Sequence, residues 1–509
     1  MSKYDFSKLQ NGSDIRGVAL PGVPGENVNL DAEACGRLAK GFLYWLSAFT
    51  QKEPRDLTVA IGMDPRLSGP DLAKAFAEAL APYGTKVCAC GLASTPAMFM
   101  STVFDDVRAD GAVMITASHL PFNRNGLKFF SARGGLNKGD ITDIIVFAES
   151  DHILDSLRPA EASPVEKLDL MALYCKHLRD LIIQGAGNGP KPLEGLKIAV
   201  DAGNGAGGFY AADILTPLGA DVSASRFLDP DGSFPNHAPN PENSKAMDSI
   251  REAVLTGKCH LGLIFDTDVD RASAVDETGR EINRNGIVAM AAALIADTHP
   301  GTTVVTDSIT SNQLTDYLEN DLGLHHLRFK RGYRNVINKA VELNEQGIDS
   351  QLAIETSGHG AYKDNYFLDD GAFLAARIVI RAALLHKENK GISSVISGLS
   401  EPAEAVEVRL PITAADAGAC GDQALAALAD WARSYDQNGL KMTIAEPNYE
   451  GVRVSLSGSV NGWFLLRKSL HDPLMPLNIE TESAGGCDAI RKVLVQCLGE
   501  IAGLDISEL

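Results

Sequence analysis

An apolar strand that runs into a loop of Gly, Asp and Ser and then into a helix recurs along this chain. It stands at Val59-Ala-Ile-Gly-Met-Asp64-Pro-Arg-Leu-Ser-Gly69, at Ile198-Ala-Val-Asp201-Ala-Gly-Asn-Gly-Ala-Gly-Gly208 and at Val304-Val-Thr-Asp307-Ser-Ile-Thr-Ser-Asn312. Around the first copy, residues 33–49 place Leu38, Phe42, Trp45, Leu46 and Phe49 at helical spacing. The spacing then predicts a buried strand over 57–64, a helix over 70–84 and a strand over 86–92. Such alternation builds parallel sheets covered by helices. The recurrence reads either as three α/β domains of related design or as the shared grammar of α/β chains.

With 509 residues the chain exceeds what one hydrophobic core organises, and several domains are expected. After residue 405 the text changes. A charged strand, a helix around 415–434, the hairpin-like Val452-Arg-Val-Ser-Leu-Ser-Gly-Ser-Val-Asn-Gly-Trp-Phe-Leu-Leu466 and a last helix with Ile490, Val493, Leu494, Cys497, Leu498 and Ile501 on one stripe read as an α+β tail. The expected fold class is α/β: three related α/β domains with mixed or parallel sheets plus a C-terminal α+β domain. The expected boundaries are 1–158, 159–283, 284–400 and 401–509.

A formal net charge of −20 argues against nonspecific binding to nucleic acid or acidic membranes, yet leaves room for local Arg and Lys to hold a phosphate. The eight cysteines are scattered without metal-ligand spacing, so buried free thiols are expected, Cys88 and Cys90 on one face of a strand. The N-terminus lacks an apolar signal core, and the longest apolar stretch, 287–296, is short of a membrane span. A cytoplasmic setting is the expectation, with no nucleic-acid or membrane partner.

Four segments carry chemistry. In Gly111-Ala-Val-Met-Ile-Thr-Ala-Ser118-His119, a strand ends at a serine and a histidine, and Lys128 follows a turn at Asn125-Gly126. Ligands gather at the carboxyl ends of strands in α/β sheets. An imidazole and an ammonium can supply proton transfer and charge to an otherwise poor hydroxyl nucleophile. On this segment alone, a capping serine in a polar turn fits as well.

In Phe265-Asp266-Thr-Asp268-Val-Asp270-Arg271, three carboxylates alternate directly after an apolar strand. In an extended loop they would point one way, and their repulsion calls for a hard cation such as Mg²⁺. A calcium EF-hand loop would need Gly where Arg271 stands and helices as flanks. A haloacid-dehalogenase-type phosphatase would begin with this strand, whereas here much of the chain precedes it.

The third segment, Glu355-Thr-Ser357-Gly-His359, gathers groups that bind sugar hydroxyls, although a satisfied polar turn fits equally. The fourth places Arg467 and Ser469 after an apolar strand, as a phosphate clamp or as a surface turn. The glycine-rich 200–208 stretch reads as a tight structural turn rather than a nucleotide site.

Together, and in this order, these segments resemble the α-D-phosphohexomutase superfamily. The most specific parts are Thr116-Ala-Ser-His119 with Pro121 and Asn125-Gly-Leu-Lys128, Asp266-Thr-Asp-Val-Asp-Arg271, and Glu355-Thr-Ser-Gly-His359. Ser13-Asp-Ile-Arg-Gly17 and Asp64-Pro-Arg-Leu-Ser-Gly69 add support. The resemblance implies four domains around a central cleft and an intramolecular phosphotransferase that interconverts hexose 1-phosphates and hexose 6-phosphates of mannose, glucose or both.

By resemblance, Ser118 is a phosphoserine, and Asp266, Asp268 and Asp270 hold Mg²⁺ with one of its oxygens. Arg16, His119, Lys128 and Arg271 lie near the moving phosphate or the proton relay. Lys330, Glu355, Ser357 and His359 contact the sugar, and Arg467 and Ser469 clamp the other phosphate. A hexose 1,6-bisphosphate is the implied activator. The clamp departs from the family's Ser-(Asn or Gly)-Thr, reading Ser469-Leu-His471-Asp-Pro473, so His471 stands as a candidate donor in place of a threonine. Ile354 also replaces a common Gly before Glu355. Thr116 and Thr356 look more like phosphomannomutase and phosphoglucomutase members than like phosphoglucosamine mutases. The alternatives are a phosphoglucosamine mutase and a non-catalytic sugar-phosphate-binding or scaffolding protein. Oligomeric state is not legible.

Overall fold

The computed structural model describes residues 4–187, 189–469 and 472–509. The chain divides into two compact units, one of residues 1–294 and 357–395, the other of residues 295–356 and 396–509.

In the first unit, Thr58–Met63 lies parallel to both Lys86–Leu92 and Gly111–Ile115, at the centre of an eight-stranded sheet. Gly111–Ile115 then pairs antiparallel with Arg124–Ser131, which pairs antiparallel with Asp14–Val18. This return puts Lys128 on the strand beside the one that leads into Ser118, and Arg16 on the strand next out. The helix Ala32–Thr50 starts where the Asp31 side chain accepts from Ala34 N and ends at Gln51 in the left-handed region (φ 59°). Its stripe of Leu38, Phe42 and Leu46 is fully buried, and Phe42 packs on Phe129 of the sheet with ring centroids 4.7 Å apart. Each such aromatic buries a large apolar area, so this helix-on-sheet face is the core of the domain.

The second sheet of this unit is built on Ile198–Asp201, parallel to Leu261–Phe265, which turns back into the antiparallel Ala272–Asp276. Phe265 pairs with Ala272, so residues 266–271 form the connection of a hairpin. Its strands are buried along their whole length, as expected where helices cover both faces. The glycine-rich 201–208 stretch is a tight turn, with Gly203 at φ +52° where a Cβ would meet Pro239 at 2.9 Å.

In the second unit, Thr303–Thr306 lies parallel to His325–Arg328 and Leu352–Ile354. The tail is a six-stranded antiparallel sheet in the order Glu404–Pro411, Leu474–Thr481, Gly462–Leu466, Val452–Gly458, Leu440–Ile444, Asp436–Gln437. The helices Ala417–Ser434 and Gly486–Leu498 bury Leu428, Ile490 and Leu494 in its core. Ile501 joins that core from beyond the end of the last helix. The architecture is thus mixed α/β with an α+β tail, as expected. All eight cysteines are free thiols, but Cys90 is only half-buried, where the register between its strand and Thr58–Met63 slips. No helix among the described residues is long and apolar enough to cross a membrane.

Candidate active site

The loop after Gly111–Ile115 is shaped by its neighbours rather than by its own sequence. Thr116 Oγ1 donates to Asp64 Oδ2 at 2.7 Å and accepts from Ser118 N at 2.9 Å. Ser118 sits at φ 49°, a left-handed conformation uncommon outside glycine. Arg66, fully buried, holds this conformation through all of its guanidinium nitrogens. Nε pairs with Asp64 Oδ2 at 3.1 Å, Nη1 donates to the carbonyls of Pro121 at 2.8 Å and Arg124 at 3.1 Å, and Nη2 donates to those of Ser118 and Leu120. Burial pushes Asp64 up to about 6, with Arg66 and Thr116 pulling it back. Arg16 joins from its strand, donating to the Thr116 carbonyl and pairing with Asp14 at 2.8 Å.

Asp266, Asp268 and Asp270 are fully or almost fully buried, and each offers an oxygen within 4.8 Å of the others. The connection is a turn and not the extended loop expected, because Val269 takes φ 66°. The alternate residues converge through that turn. Lys128 Nζ contacts Asp268 Oδ2 at 3.2 Å and also Asp270 Oδ2. Arg271 pairs with Asp266 at 3.1 Å, donates to Ser118 Oγ at 2.9 Å and reaches His119 Nδ1. Ser118 Oγ donates to Asp266 Oδ2 at 3.1 Å and lies 3.3 Å from His119 Nδ1.

These contacts set the charges. Burial, with repulsion from Asp270 and Asp268, pushes Asp266 well above the carboxylate range. Burial also opposes charge on Asp270, but Lys128 and Arg271 outweigh it and hold that carboxyl low. Lys128 is driven up, since Asp268 and Asp270 outweigh its burial. His119, exposed at its outer edge, is pushed down to about 3, first by the charge of Arg271 and then by desolvation. His359 is neutral through burial, with Arg271 and Lys128 adding to it.

The donor set fits a hard cation. Among the described residues, Asp268 Oδ1 and Asp270 Oδ1 are buried without a hydrogen-bond donor, on carboxylates that face each other. Three crowded carboxylates with two such oxygens are what an oxygen-liking divalent ion satisfies.

The Glu355–His359 segment divides between the two units. His359 lies in the first, its Nδ1 2.9 Å from Ser357 Oγ and its Nε2 3.6 Å from Asp270 Oδ1 and 3.7 Å from Asp369 Oδ2. A second potential metal-holding group, Asp270, His359 and Asp369, follows from this. Glu355 lies in the second unit and accepts from Gly332 N at 2.7 Å, next to the exposed Lys330. Thr356 donates to Asp307 Oδ2 at 2.7 Å. Arg467 is buried, and its Nε has no hydrogen-bond partner among the described residues. Ser469 N donates to the Leu474 carbonyl at 3.0 Å, and Ser469 Oγ accepts from Asp472 N at 3.3 Å. His471 lies outside the described residues.

The first unit therefore assembles Arg16, Ser118, His119, Lys128, Asp266, Asp268, Asp270, Arg271, Ser357 and His359. The second carries Lys330, Glu355, Arg467 and Ser469. Sequence reasoning did not single out Arg66, Asp14, Asp369 or Thr95, whose Oγ1 donates to Asp268. Of these, Arg66 and Asp14 left a signal only as members of the family segments Asp64-Pro-Arg-Leu-Ser-Gly69 and Ser13-Asp-Ile-Arg-Gly17.

A serine hydroxyl pressed against a buried acidic group that could hold a cation, with a guanidinium and an ammonium on the carboxylates of that group, is equipped to neutralise a phosphoryl group. The fold and this site define the class: a phosphoryl-transfer enzyme built on repeated α/β domains. The comparisons with known proteins agree. The chain matches phosphoglucomutase/phosphomannomutase alpha/beta/alpha domain I over residues 7–149, domain II over 172–279 and domain III over 283–402. It is 28% identical to a phosphomannomutase/phosphoglucomutase of Pseudomonas aeruginosa PAO1 over 94% of this chain and 93% of that one. It is 31% identical to a phosphoglucosamine mutase of Corynebacterium glutamicum strain R over 74% of this chain and 80% of that one. A phosphoglucomutase/phosphomannomutase family protein from Burkholderia thailandensis shares its fold with a TM-score of 0.75 and 25% identity, over 97% of this chain and 98% of the other. The chain belongs to the phosphoglucomutase/phosphomannomutase family of the α-D-phosphohexomutase superfamily and is a hexose-phosphate mutase, an isomerase.

Proposed function

We propose that the chain interconverts the 1-phosphate and 6-phosphate of glucose, mannose or both, with Ser118 carrying the phosphoryl group. The observation that carries this reading is the convergence on Ser118 Oγ of Asp266 at 3.1 Å and Arg271 at 2.9 Å, inside the acidic group that Lys128 closes. Asp266, Asp268 and Asp270 would hold Mg²⁺, which when bound supplies positive charge to the phosphoryl oxygens.

Arg271 and Lys128 hold the same oxygens from the protein side. The Ser118 Oγ–P bond breaks as a bond forms from phosphorus to a sugar hydroxyl oxygen. The hydroxyl proton passes to a neutral imidazole, His119 or His359, and the reverse transfer from the bisphosphate returns a phosphate to Ser118. The bisphosphate is a hexose 1,6-bisphosphate, which also primes the enzyme. Lys330, Glu355 and Ser357 bind the sugar, and Arg467, Ser469 and His471 bind the phosphate that stays. A buried guanidinium with an unused N–H supports Arg467 in that role.

We divide the chain at 1–158, 159–283, 284–400 and 401–509; the family matches over 7–149, 172–279 and 283–402 support three separate domains in the first part of this division. The free thiols support a cytoplasmic location, which cell fractionation would check. Intact-mass spectrometry with glucose 1,6-bisphosphate should show one added phosphate that is absent in Ser118→Ala. Labelling that persists in the variant would refute the role of Ser118. The 31% identity to a phosphoglucosamine mutase favours a second reading, in which the amino sugar is the substrate. Coupled assays on glucose, mannose and glucosamine 1-phosphates separate the two.

A further inference from the structure

Residues 227–243 run from Arg226, which bridges to the strand-end Asp201, to the helix Ser244–Gly257, and they contain no helix or strand. Irregular segments of this length inside a compact domain are uncommon and tend to be functional. This one is held in an unusual shape. Phe227 and Phe234 take φ 51° and 49°, left-handed conformations that bulky side chains rarely adopt.

Its anchor is the strand-end Asp201, which is fully buried. His237 Nε2 meets Asp201 Oδ1 at 3.0 Å and Nδ1 meets the Ala238 carbonyl at 2.9 Å. Both ring nitrogens thus face acceptors, and the ring pins the segment to the strand. Asn204 adds to this by donating from Nδ2 to the Asp229 carbonyl at 2.9 Å and accepting from Asn236 at 2.7 Å.

From that anchor the segment reaches two arginines that hold Ser118, one at its carbonyl and one at its hydroxyl. Gly232 lies so close to the Asp64–Leu67 turn that a Cβ would meet Pro65 O at 2.3 Å and Leu67 N at 2.7 Å. The Phe234 ring covers the Arg66 guanidinium at 5.3 Å. Further on, Glu242 Oε2 stands 3.6 Å from Arg271 Nη1. Arg66 holds the carbonyls of the serine loop, and Arg271 holds Ser118 Oγ itself.

We infer that residues 227–243 are a positioning strap that aligns Ser118 for phosphoryl transfer, with Phe234 and Gly232 seating Arg66 and Glu242 seating Arg271. The inference rests on Ser118 being the phosphoryl carrier. None of Gly232, Phe234 or Glu242 touches the serine, so each acts through an arginine. The strap aligns the oxygen that reacts without contacting sugar, and its loss therefore lowers the transfer rate and leaves KM in place. A displacement well under the length of a bond is enough to slow such a step.

The test is the rate at which Ser118 gains phosphate from glucose 1,6-bisphosphate, followed by intact mass, together with kcat and KM. The variants are Phe234→Ala, Phe234→Tyr, Glu242→Gln and Gly232→Ala. Phe234→Ala and Glu242→Gln are expected to slow phosphate gain and kcat about tenfold with KM nearly unchanged, and Phe234→Tyr to restore the rate. Gly232→Ala, which must push the segment off the turn, is expected to slow them most. If Gly232→Ala does not fold, the other three variants decide. Rates in Phe234→Ala and Glu242→Gln within about twofold of the parent, or a raised KM at constant kcat, would overturn the strap. A parent enzyme that gains no phosphate at all would instead overturn the role of Ser118.

Discussion

Asp64 in the first unit and Asp307 in the second stand at the ends of corresponding strands, and each accepts a threonine hydroxyl at 2.7 Å. The donor is Thr116 of the serine loop in one case and Thr356 of the sugar loop in the other. Each also has an arginine, and here the two differ. Arg66 is fully buried, lies 3.1 Å from Asp64 and gives its remaining donors to loop carbonyls. Arg331 stands 3.8 Å from Asp307 and keeps 22% of its side chain exposed. The first arginine is a fixed part of the loop. The second is placed where a ligand can share it. One supersecondary unit thus serves either to lock a reacting oxygen or to present a charge, according to how deeply its arginine is buried.

The largest expected break in this comparison comes from the arginines. Arg66→Ala leaves Asp64 buried and unpaired, and should cost about 3–5 kcal/mol of stability along with most of kcat. Arg331→Ala should cost less than about 1 kcal/mol, as for a partly exposed pair. Urea unfolding of both variants checks this, and equal losses would abolish the distinction.

Next come the threonines. Thr116→Val and Thr356→Val each remove a hydrogen bond to a buried carboxylate, and each should lose about 1.5–3 kcal/mol. The kinetic consequences should part: kcat falls in Thr116→Val, whereas KM rises in Thr356→Val. Steady-state kinetics on one sugar phosphate would show it.

The smallest effect concerns the third strand-end aspartate, Asp201, whose partner is His237. Burial opposes charge on this ring, but Asp201 and the Ala238 carbonyl outweigh it, so its pKa is raised. The pair's contribution is full below the unfolded histidine value of about 6.5 and is lost as pH rises through the higher folded value. Stability should therefore fall as pH rises from neutral to mildly alkaline, and this slope should vanish in His237→Gln. An unchanged slope would show that the imidazole is neutral throughout.

The chemistry was legible wherever it followed a strand. Ser118, the 266–271 acids and Glu355 each come directly after a short apolar run, and strand ends in α/β sheets collect ligands whatever the rest of the chain does. The acid turn was legible in content but not in shape, since alternation suggested an extended loop and Val269 instead bends it. Arg66 was visible only as part of a family segment. Its task depends on carbonyls more than fifty residues away, at Ser118 and Arg124. The strap at 227–243 carries no periodicity at all, so nothing in its local pattern points to Arg66 or Arg271.

By itself the sequence determined the strand–loop–helix repeats, the α+β tail and which side chains stand at strand ends, because periodicity and turn chemistry are local properties of the chain. Only the tertiary structure decided which of those ends meet. It brought Lys128 to Asp268 and Arg271 to Asp266 within one acidic group, and it set two arginines on Ser118, one at its carbonyl and one at its hydroxyl. It also divided the Glu355–His359 segment between two units. Such pairings follow from sheet order and long-range packing, which no window of sequence contains.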